Sequence, residues 1–448
     1  MINLSEIIEV LAATLIGNDV AFRGVSTDSR DVQAGQLFFA RSGPQFDGHD
    51  YITQAVEKGA VAVVVTKRVD VNIPQLVVAD ADKALGQLAA WHRQHFNVPV
   101  IAVTGSCGKT TTKAMLASIF SQLGKTLSPE GSFNNHVGLP LTLMQLDKSY
   151  DYVVLELGAN HMGEIDYLVN IARPNVCAIT MVAPVHLAGF GSIENIAKAK
   201  GEIFNALSSD DIAVINADDP LSKTWDEKLK HHRVLKFSSN AAADVRARDV
   251  VTTEFGLVSF TLINADESVQ INLPLLGEHN VQNAVCAATC ALALNVRLDI
   301  IKQGLEQMTA VEKRLVRHQL ANGTVLIDDT YNANPLAVKA AMVVLQRAGK
   351  HTTLVLGDMR ELGDNAEQYH IEIGQHAQQA GIDQVYTLGE LTAHTARAFG
   401  SGGKHFTDRN ALVAALAPTL TENSAVLVKG SKSMQMWHVV NALLEQQG

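Results

Sequence analysis

The chain has 448 residues, 47% hydrophobic and 18% charged, the balance of an ordinary globular protein but too long for a single core, so several domains are expected. Acidic residues outnumber basic ones 46 to 36, for a formal charge of −10, and no lysine- or arginine-rich block occurs, which disfavours a nucleic-acid partner. No window reaches the roughly 18 apolar residues of a membrane span, and the start Met1-Ile-Asn-Leu-Ser-Glu6 lacks a basic n-region, so a cytoplasmic protein without a membrane span is expected.

Residues 1–85 read as a small α/β unit, with an amphipathic helix carrying Leu4, Ile7, Leu11 and Leu15 and strands near 36–40 and 61–65. The apolar run 98–103 then leads into Thr104-Gly-Ser-Cys-Gly-Lys-Thr-Thr-Thr112 and a helix-like stretch at 113–120. A strand, a glycine turn and a helix start in that order make a phosphate cradle. The glycines let backbone N–H groups converge on phosphate oxygens, and the helix N-terminus adds partial positive charge. Lys109 would reach the outer phosphates of ATP or GTP, and Thr110 or Thr111 would offer a hydroxyl to Mg²⁺. The general phosphate-loop pattern has glycine at the position of Val103, so the loop here is the shortened Gly105-x-x-Gly108-Lys109-Thr110.

Strands at 152–157, 176–182 and 212–216 alternate with helices at 164–172 and 193–207, the pattern of a mostly parallel sheet covered on both faces. Glu156 ends an apolar strand beside the phosphate loop, where a carboxylate serves a hard cation. His186 is uninformative by itself. Lys198 and Lys200 read either as solvated lysines or as one neutral amine able to take up CO₂ and become a carbamate. A strand-rich segment over 233–274 precedes an alanine-rich helix from Asn280 that holds Cys286 and Cys290. With Cys107 and Cys177 these form no paired pattern and read as reduced thiols.

A second alternation begins near Arg314, with strands at 325–329, 353–357, 384–388 and 425–429 and helices from Leu336 and Ala366, and reads as a separate doubly wound domain. Asp328 and Asp329 close its first strand, either as turn caps or as ligand-binding groups. Because ligands of open parallel sheets bind beyond the carboxyl ends of strands, the phosphate loop, Glu156, His186 and Asp328-Asp329 are expected to face one cleft between two domains.

These residues, in this order, resemble the muramyl (Mur) ligase family, ATP-dependent amide-forming enzymes of peptidoglycan synthesis, along the length of the chain. The matching motifs are Thr104–Thr110, Ser26-Thr-Asp-Ser-Arg30, Asn134-Asn135, Leu155-Glu-Leu-Gly-Ala-Asn-His161, Lys200-Gly-Glu-Ile-Phe204 and Gly277-Glu-His-Asn-Val-Gln-Asn283. The resemblance implies three α/β domains: a small uridine-nucleotide unit (1–85), a central phosphate-loop domain with a mostly parallel sheet (86–313), and a C-terminal Rossmann-like doubly wound domain that receives the incoming amine (314–448).

It further implies that Thr104, Gly105, Ser106, Cys107, Gly108, Lys109, Thr110 and Thr111 bind ATP, with Asn283 on the base and Arg314 and Asp329 contacting ATP from the third domain. Thr110, Glu156, His186 and Lys200 would hold Mg²⁺, with Lys200 rather than Lys198 carbamylated. Lys109, Lys200, His186 and Glu156 would act in catalysis. Ser29, Arg30, Asn134, Asn135, Tyr331, Asn332 and Asn334 would bind substrate. The motifs Asp329-Thr-Tyr-Asn-Ala-Asn-Pro335, Leu356-Gly-Asp-Met-Arg-Glu-Leu-Gly363 and Val428-Lys-Gly-Ser431, with no Asp-Asn-Pro-Arg, imply UDP-N-acetylmuramoyl-tripeptide and D-alanyl-D-alanine as substrates and a monomeric enzyme. The alternatives are another ligase of the family, a tripeptide synthetase or a folylpolyglutamate-type enzyme, or a phosphate-loop nucleotide switch that makes no product.

Overall fold

The computed structural model describes residues 1–129, 131, 133–185, 187–253 and 256–446. Three sheets organise it. The first runs, in spatial order, Thr14–Ile16, Gln75–Val77, Ala62–Val65, Leu37–Phe39 and Val25–Ser26, parallel except at the edge strand Thr14–Ile16. The expected long N-terminal helix is cut short. It spans Leu4–Ile7, capped by a reciprocal Asn3–Glu6 pair; Ala12 then turns left-handed at φ 48°, and Leu15 lies in the edge strand instead. Ladder hydrogen bonds to Gln75–Val77 outweigh the helical spacing of four leucine-type residues.

The helix Ala81–Arg93, absent from the sequence reading, starts at Asp80, whose side chain accepts from the N–H groups of Asp82 and Lys83. Its Leu85, Leu88 and Ala89 pack into one core with Leu4 and the strand residue Val64 of the N-terminal unit and with the strand residues Val100 and Val153 and the helix residue Leu168 of the central one. The N-terminal unit is thereby welded to the central one.

The central sheet has nine strands in the order Thr126–Leu127, Tyr152–Glu156, Val100–Thr104, Val176–Ile179, Ile212–Asn216, Arg233–Ser238, Val245–Thr252, Leu257–Asn264, Glu267–Leu276. The first seven run parallel, and Leu257–Asn264 pairs antiparallel with both of its neighbours. Val100–Thr104 is buried at every position, as expected of a strand covered on both faces. From it the chain first crosses to Thr126–Leu127 and Tyr152–Glu156 on one side and only then to Val176–Ile179 on the other, so the phosphate loop leaves the sheet at a topological switch point. The continuous helix expected over 193–207 divides into Ile193–Lys200 and a 3₁₀ segment Gly201–Ala206. Gly201 sits against the Trp225 indole so closely that a Cβ would lie 2.5 Å from it. The tighter turn brings the Glu202 carboxylate onto the N–H groups of Gly163 and Asp166, at 2.8 and 3.1 Å.

The third sheet runs Val316–Gln319, Val325–Asp329, Ser424–Lys429, His351–Gly357, Gln384–Leu388, Gly403–Phe406, antiparallel only at its first strand. Helices cover both faces, with Val338, Leu345 and Ile373 on one and Leu412, Leu416, Val440 and Leu443 on the other. The sheet is doubly wound, as the sequence predicts, and Gly403–Phe406, Arg409–Leu416 and Trp437–Gln446 complete it.

Within this domain His370 is fully buried, its Nδ1–H donating to the Ala366 carbonyl at 2.7 Å and its Nε2 accepting from the Met359 N–H at 3.0 Å. Burial pushes the imidazole below its ordinary range, and protonation would also take away the acceptor. The unfolded chain therefore binds more protons just below about pH 6.5, and stability rises with pH there. The contribution is complete above that pH and is lost as pH falls toward the folded-state value. Denaturant midpoints at pH 7.5 and 5.5 are expected to differ less in His370→Gln than in the wild type; an unchanged difference would assign the pH dependence elsewhere.

Candidate active site

Two glycines shape the phosphate loop. Gly105 (φ 144°) and Gly108 (φ 84°) take conformations in which a side chain is strained. A Cβ at Gly105 would also lie 2.0 Å from the Thr180 hydroxyl, and one at Gly108 2.2 Å from Asn283 Oδ1. The helix Lys109–Ser121 starts from Gly108 with its first N–H groups facing the loop. The loop is held from beneath: the Ser106 hydroxyl donates to the Ala183 carbonyl (3.0 Å), and Thr180 Oγ1 donates to the Cys107 carbonyl (2.6 Å).

The loop opens onto a cleft of about 1140 Å³ between the central and third domains. From the central domain Ser106, Cys107, Gly108, Lys109, Thr110 and Thr111 line it, together with Asn134, Asn135, Glu156 and Asn283. From the third domain come Arg314, Asp329, Tyr331, Asn332 and Asn334. The predicted convergence on one cleft is thus present for these groups.

Other predicted residues lie elsewhere. The Thr104 side chain is fully buried and donates to the Leu157 carbonyl at 2.7 Å, so it pins two strand ends rather than facing the cleft; Gly105 lies behind the cleft wall with it. Asp328 accepts from both the N–H and the hydroxyl of Thr330, the turn-capping alternative. Ser29 and Arg30 belong to the N-terminal domain away from this cleft, with Ser29 donating to Gln54 at 2.6 Å and exposed Arg30 paired with Asp28. His186 lies outside the described residues.

Lys109 Nζ donates to the carbonyls of its own loop, Gly105 at 2.8 Å and Ser106 at 3.4 Å, which poises it at the mouth of the cradle. Burial pushes its ammonium below the ordinary lysine range, against the pull of Glu156. Glu156 is 3% exposed. One carboxylate oxygen accepts from Asn134 Nδ2 at 2.7 Å, and the other is buried without a hydrogen-bond partner among the described residues. An orphaned buried carboxylate oxygen is costly unless a cation or donor completes it.

Lys200 is 1% exposed at the end of its helix, behind the cleft wall, with the Phe190 ring 5.4 Å from its ammonium and no hydrogen bond to it among the described residues. Burial, and then the charge of Lys109, push it down to about 7. Lys198, by contrast, is on the exposed side of the same helix.

The two domains meet at the loop. Arg314 Nη2 donates to Thr110 Oγ1 at 3.0 Å while its guanidinium stacks 4.2 Å from the Tyr331 ring centroid, and Asn334 Nδ2 reaches Cys107 Sγ at 3.4 Å. Asn334 also caps the helix Pro335–Ala348, as Asn135 caps Gly138–Leu143 through the N–H groups of Val137 and Gly138. Lys313 and Leu315, either side of Arg314, both sit at positive φ (61° and 50°), a strained passage between the domains.

Several cleft residues lie outside the sequence reading of candidate groups, Lys429 among them. Lys429, 3% exposed, donates to Asp329 Oδ2 at 2.5 Å and to the Asn332 carbonyl at 2.8 Å. A charged residue ending the apolar strand Ser424–Lys429 is the same signal that marked Glu156.

Known proteins supply an independent comparison. Family models described as "Mur ligase family, catalytic domain", "Mur ligase middle domain" and "Mur ligase, glutamate ligase domain" match residues 21–100, 103–291 and 313–432. The UDP-N-acetylmuramoyl-tripeptide–D-alanyl-D-alanine ligase of Escherichia coli (strain K12) is 43% identical over 447 residues, 99% of this chain and 98% of that protein. The enzyme of the same name from Bacillus subtilis (strain 168) is 33% identical over 455 residues, again 99% and 98%. Among solved structures, MurF from Acinetobacter baumannii superposes with a TM-score of 0.92 at 35% identity, covering 98% of each chain. MurF ligase from Thermotoga maritima in complex with ADP gives 0.83 at 28%, covering 95% of this chain and 99% of that one.

Proposed function

The chain belongs to the Mur ligase family, and from that premise we propose that it joins D-alanyl-D-alanine to UDP-N-acetylmuramoyl-tripeptide at the expense of ATP. The observation that carries this reading is the single cleft that sets a phosphate loop and the orphaned Glu156 oxygen opposite Arg314, Asp329 and Lys429 of another domain. A nucleotide switch needs the first of these but has no use for a second walled half. Relatives named for this reaction at 43% and 40% identity over essentially the whole chain favour it over a tripeptide synthetase or a folylpolyglutamate-type enzyme. Residues 1–85 would take the uridine nucleotide, 86–313 the ATP, and 314–448 the dipeptide.

The chemistry proceeds in two displacements. A tripeptide carboxylate oxygen attacks the γ-phosphorus of ATP, the bond to the bridging oxygen breaks, and ADP leaves an acyl phosphate. The dipeptide amine then attacks the acyl carbon, phosphate departs with the bonding pair, and the nitrogen loses a proton. Lys109 swings from its loop carbonyls to the outer phosphates and offsets charge on the transferring group. Arg314 and Asp329 hold the nucleotide from the far wall. The interdomain contacts at Thr110 and Cys107 keep water from the acyl phosphate, which it would otherwise hydrolyse.

Among the described residues no three acidic, histidine or cysteine side chains form a ready metal site. Oxygen donors are nevertheless present in the free Glu156 oxygen and the Thr110 hydroxyl, and a carbamate on Lys200 would add another; with His186 these are the proposed Mg²⁺ ligands. Such an ion would neutralise phosphate charge. The carbamate forms when the neutral Lys200 amine attacks CO₂, making a C–N bond and releasing one proton. A nearly unexposed amine with no hydrogen bond among the described residues suits that reaction.

Phosphate release from ATP is expected to require both the tripeptide nucleotide and D-alanyl-D-alanine, with a product heavier by the dipeptide less water. ATP hydrolysis indifferent to both substrates would overturn the reading.

A further inference from the structure

Lys113 is a buried lysine for which the reaction above has no use. It stands one helical turn beyond Lys109 on the helix Lys109–Ser121 and is 4% exposed, among neighbours such as Leu116 and Phe120 that belong to the apolar core. Apolar packing at this position would be served by methionine or leucine without desolvating a charge. An ammonium is tolerated there only if acceptors take its protons. They do: Nζ donates to the carbonyl oxygens of Pro129 (2.5 Å) and Gly131 (2.8 Å).

Those carbonyls sit at the near end of the segment whose far end enters the cleft. Three residues past Gly131, Asn134 donates to Glu156 at 2.7 Å, and its carbonyl accepts the Gly158 N–H at 2.8 Å. A Cβ on Gly158 would lie 2.8 Å from the Asn134 amide carbon, so that amide is wedged against the strand end. Asn135 follows as the cap of Gly138–Leu143. Among the described residues Pro129 and Gly131 are thus tied to the helix that begins with Lys109 and Thr110, and Asn134 to the strand end at Glu156 and Gly158.

We propose that Lys113 is a positioning residue for the tripeptide nucleotide, holding the segment that presents Asn134 and Asn135 in register with the phosphate loop. The inference rests on the functional reading above. Without the tie, the loop keeps its own supports at Thr180 and Ala183, so nucleotide binding survives, whereas the asparagine segment loses one end of its mounting.

Steady-state kinetics of Lys113→Met should show KM for the tripeptide nucleotide raised about tenfold with KM for ATP within about twofold, and Lys113→Arg should fall between it and the wild type. In an Asn134→Ala background the Lys113→Met substitution should add little further, because the lysine acts through that residue. A lower melting temperature with both KM values unmoved would make Lys113 merely structural and overturn the proposal, as would an equal rise in KM for ATP. Should Lys113→Met aggregate, Lys113→Arg decides: a tripeptide-nucleotide KM within about twofold of wild type overturns it. A wild type that fails to join the two substrates overturns the functional reading and this inference with it. A ligating wild type with unmoved variants overturns only the inference.

Discussion

Replacement of Lys200 by alanine is expected to lower ligation by at least about 10²- to 10³-fold, the scale of losing one charge-stabilising group at a phosphoryl-transfer site. The loss should not come from unfolding. The side chain makes no hydrogen bond among the described residues, and its removal relieves a buried charge rather than stranding one. Two readouts separate a carbamate from a plain ammonium. Short carboxylates such as formate or acetate should partly restore activity to Lys200→Ala, since they return an oxygen donor to the vacated space. Carbon-13 spectra of wild-type protein in labelled bicarbonate should show a carbamate signal that the variant lacks. An alanine variant with full activity removes the carbamate from the mechanism altogether.

Lys109→Met is expected to cost a similar factor, roughly 10²- to 10³-fold in kcat, equivalent to about 3–4 kcal/mol of transition-state stabilisation. The ammonium hangs over the loop on the Gly105 and Ser106 carbonyls, from which a side-chain rotation would carry it to the outer phosphates of a nucleotide bound there. Methionine keeps the length and the packing but not the charge. ATP affinity should fall as well, while the tripeptide nucleotide, held by other residues, should bind nearly as before in calorimetry. A variant within about tenfold of wild type in kcat would show that Arg314 or another cation performs the neutralisation.

Much of the architecture could be read from the chain. The strands 100–104, 152–156, 212–216 and 325–329 are short, continuous apolar runs bounded by turn residues, and such runs have few alternatives to a buried parallel sheet. The phosphate loop was equally plain, because glycines at Gly105 and Gly108 answer a steric demand that no other residue meets. The first helix was misread for the opposite reason. Leu4, Ile7, Leu11 and Leu15 have helical spacing, but their burial is won by a short helix, a left-handed Ala12 and an edge strand, and only the partner at Gln75–Val77 decides between these. The break after Lys200 was hidden likewise, since it depends on Trp225 pressing on Gly201 from a segment some two dozen residues away.

In the cleft, residue type and position at a strand end were sufficient to place Glu156 and Asp329, whereas Asn283, on the helix His279–Ala293, was placed by the resemblance alone. Type and position mislead for Thr104, whose hydroxyl is consumed by Leu157, while Lys429 carries the same strand-end signal and takes its value from the neighbouring strand that brings Asp329 beside it.

By itself, then, the sequence determined the class of chemistry and the doubly wound frame, because both follow from local demands: positive φ at the loop glycines, apolar runs for buried strands, a family of motifs in fixed order. Only the tertiary structure decided which side chains face the cleft, which oxygen of Glu156 is left free, and that Arg314 closes onto Thr110. Those are outcomes of which segments pack together, and burial and hydrogen-bond satisfaction are properties of that packing rather than of any stretch of chain.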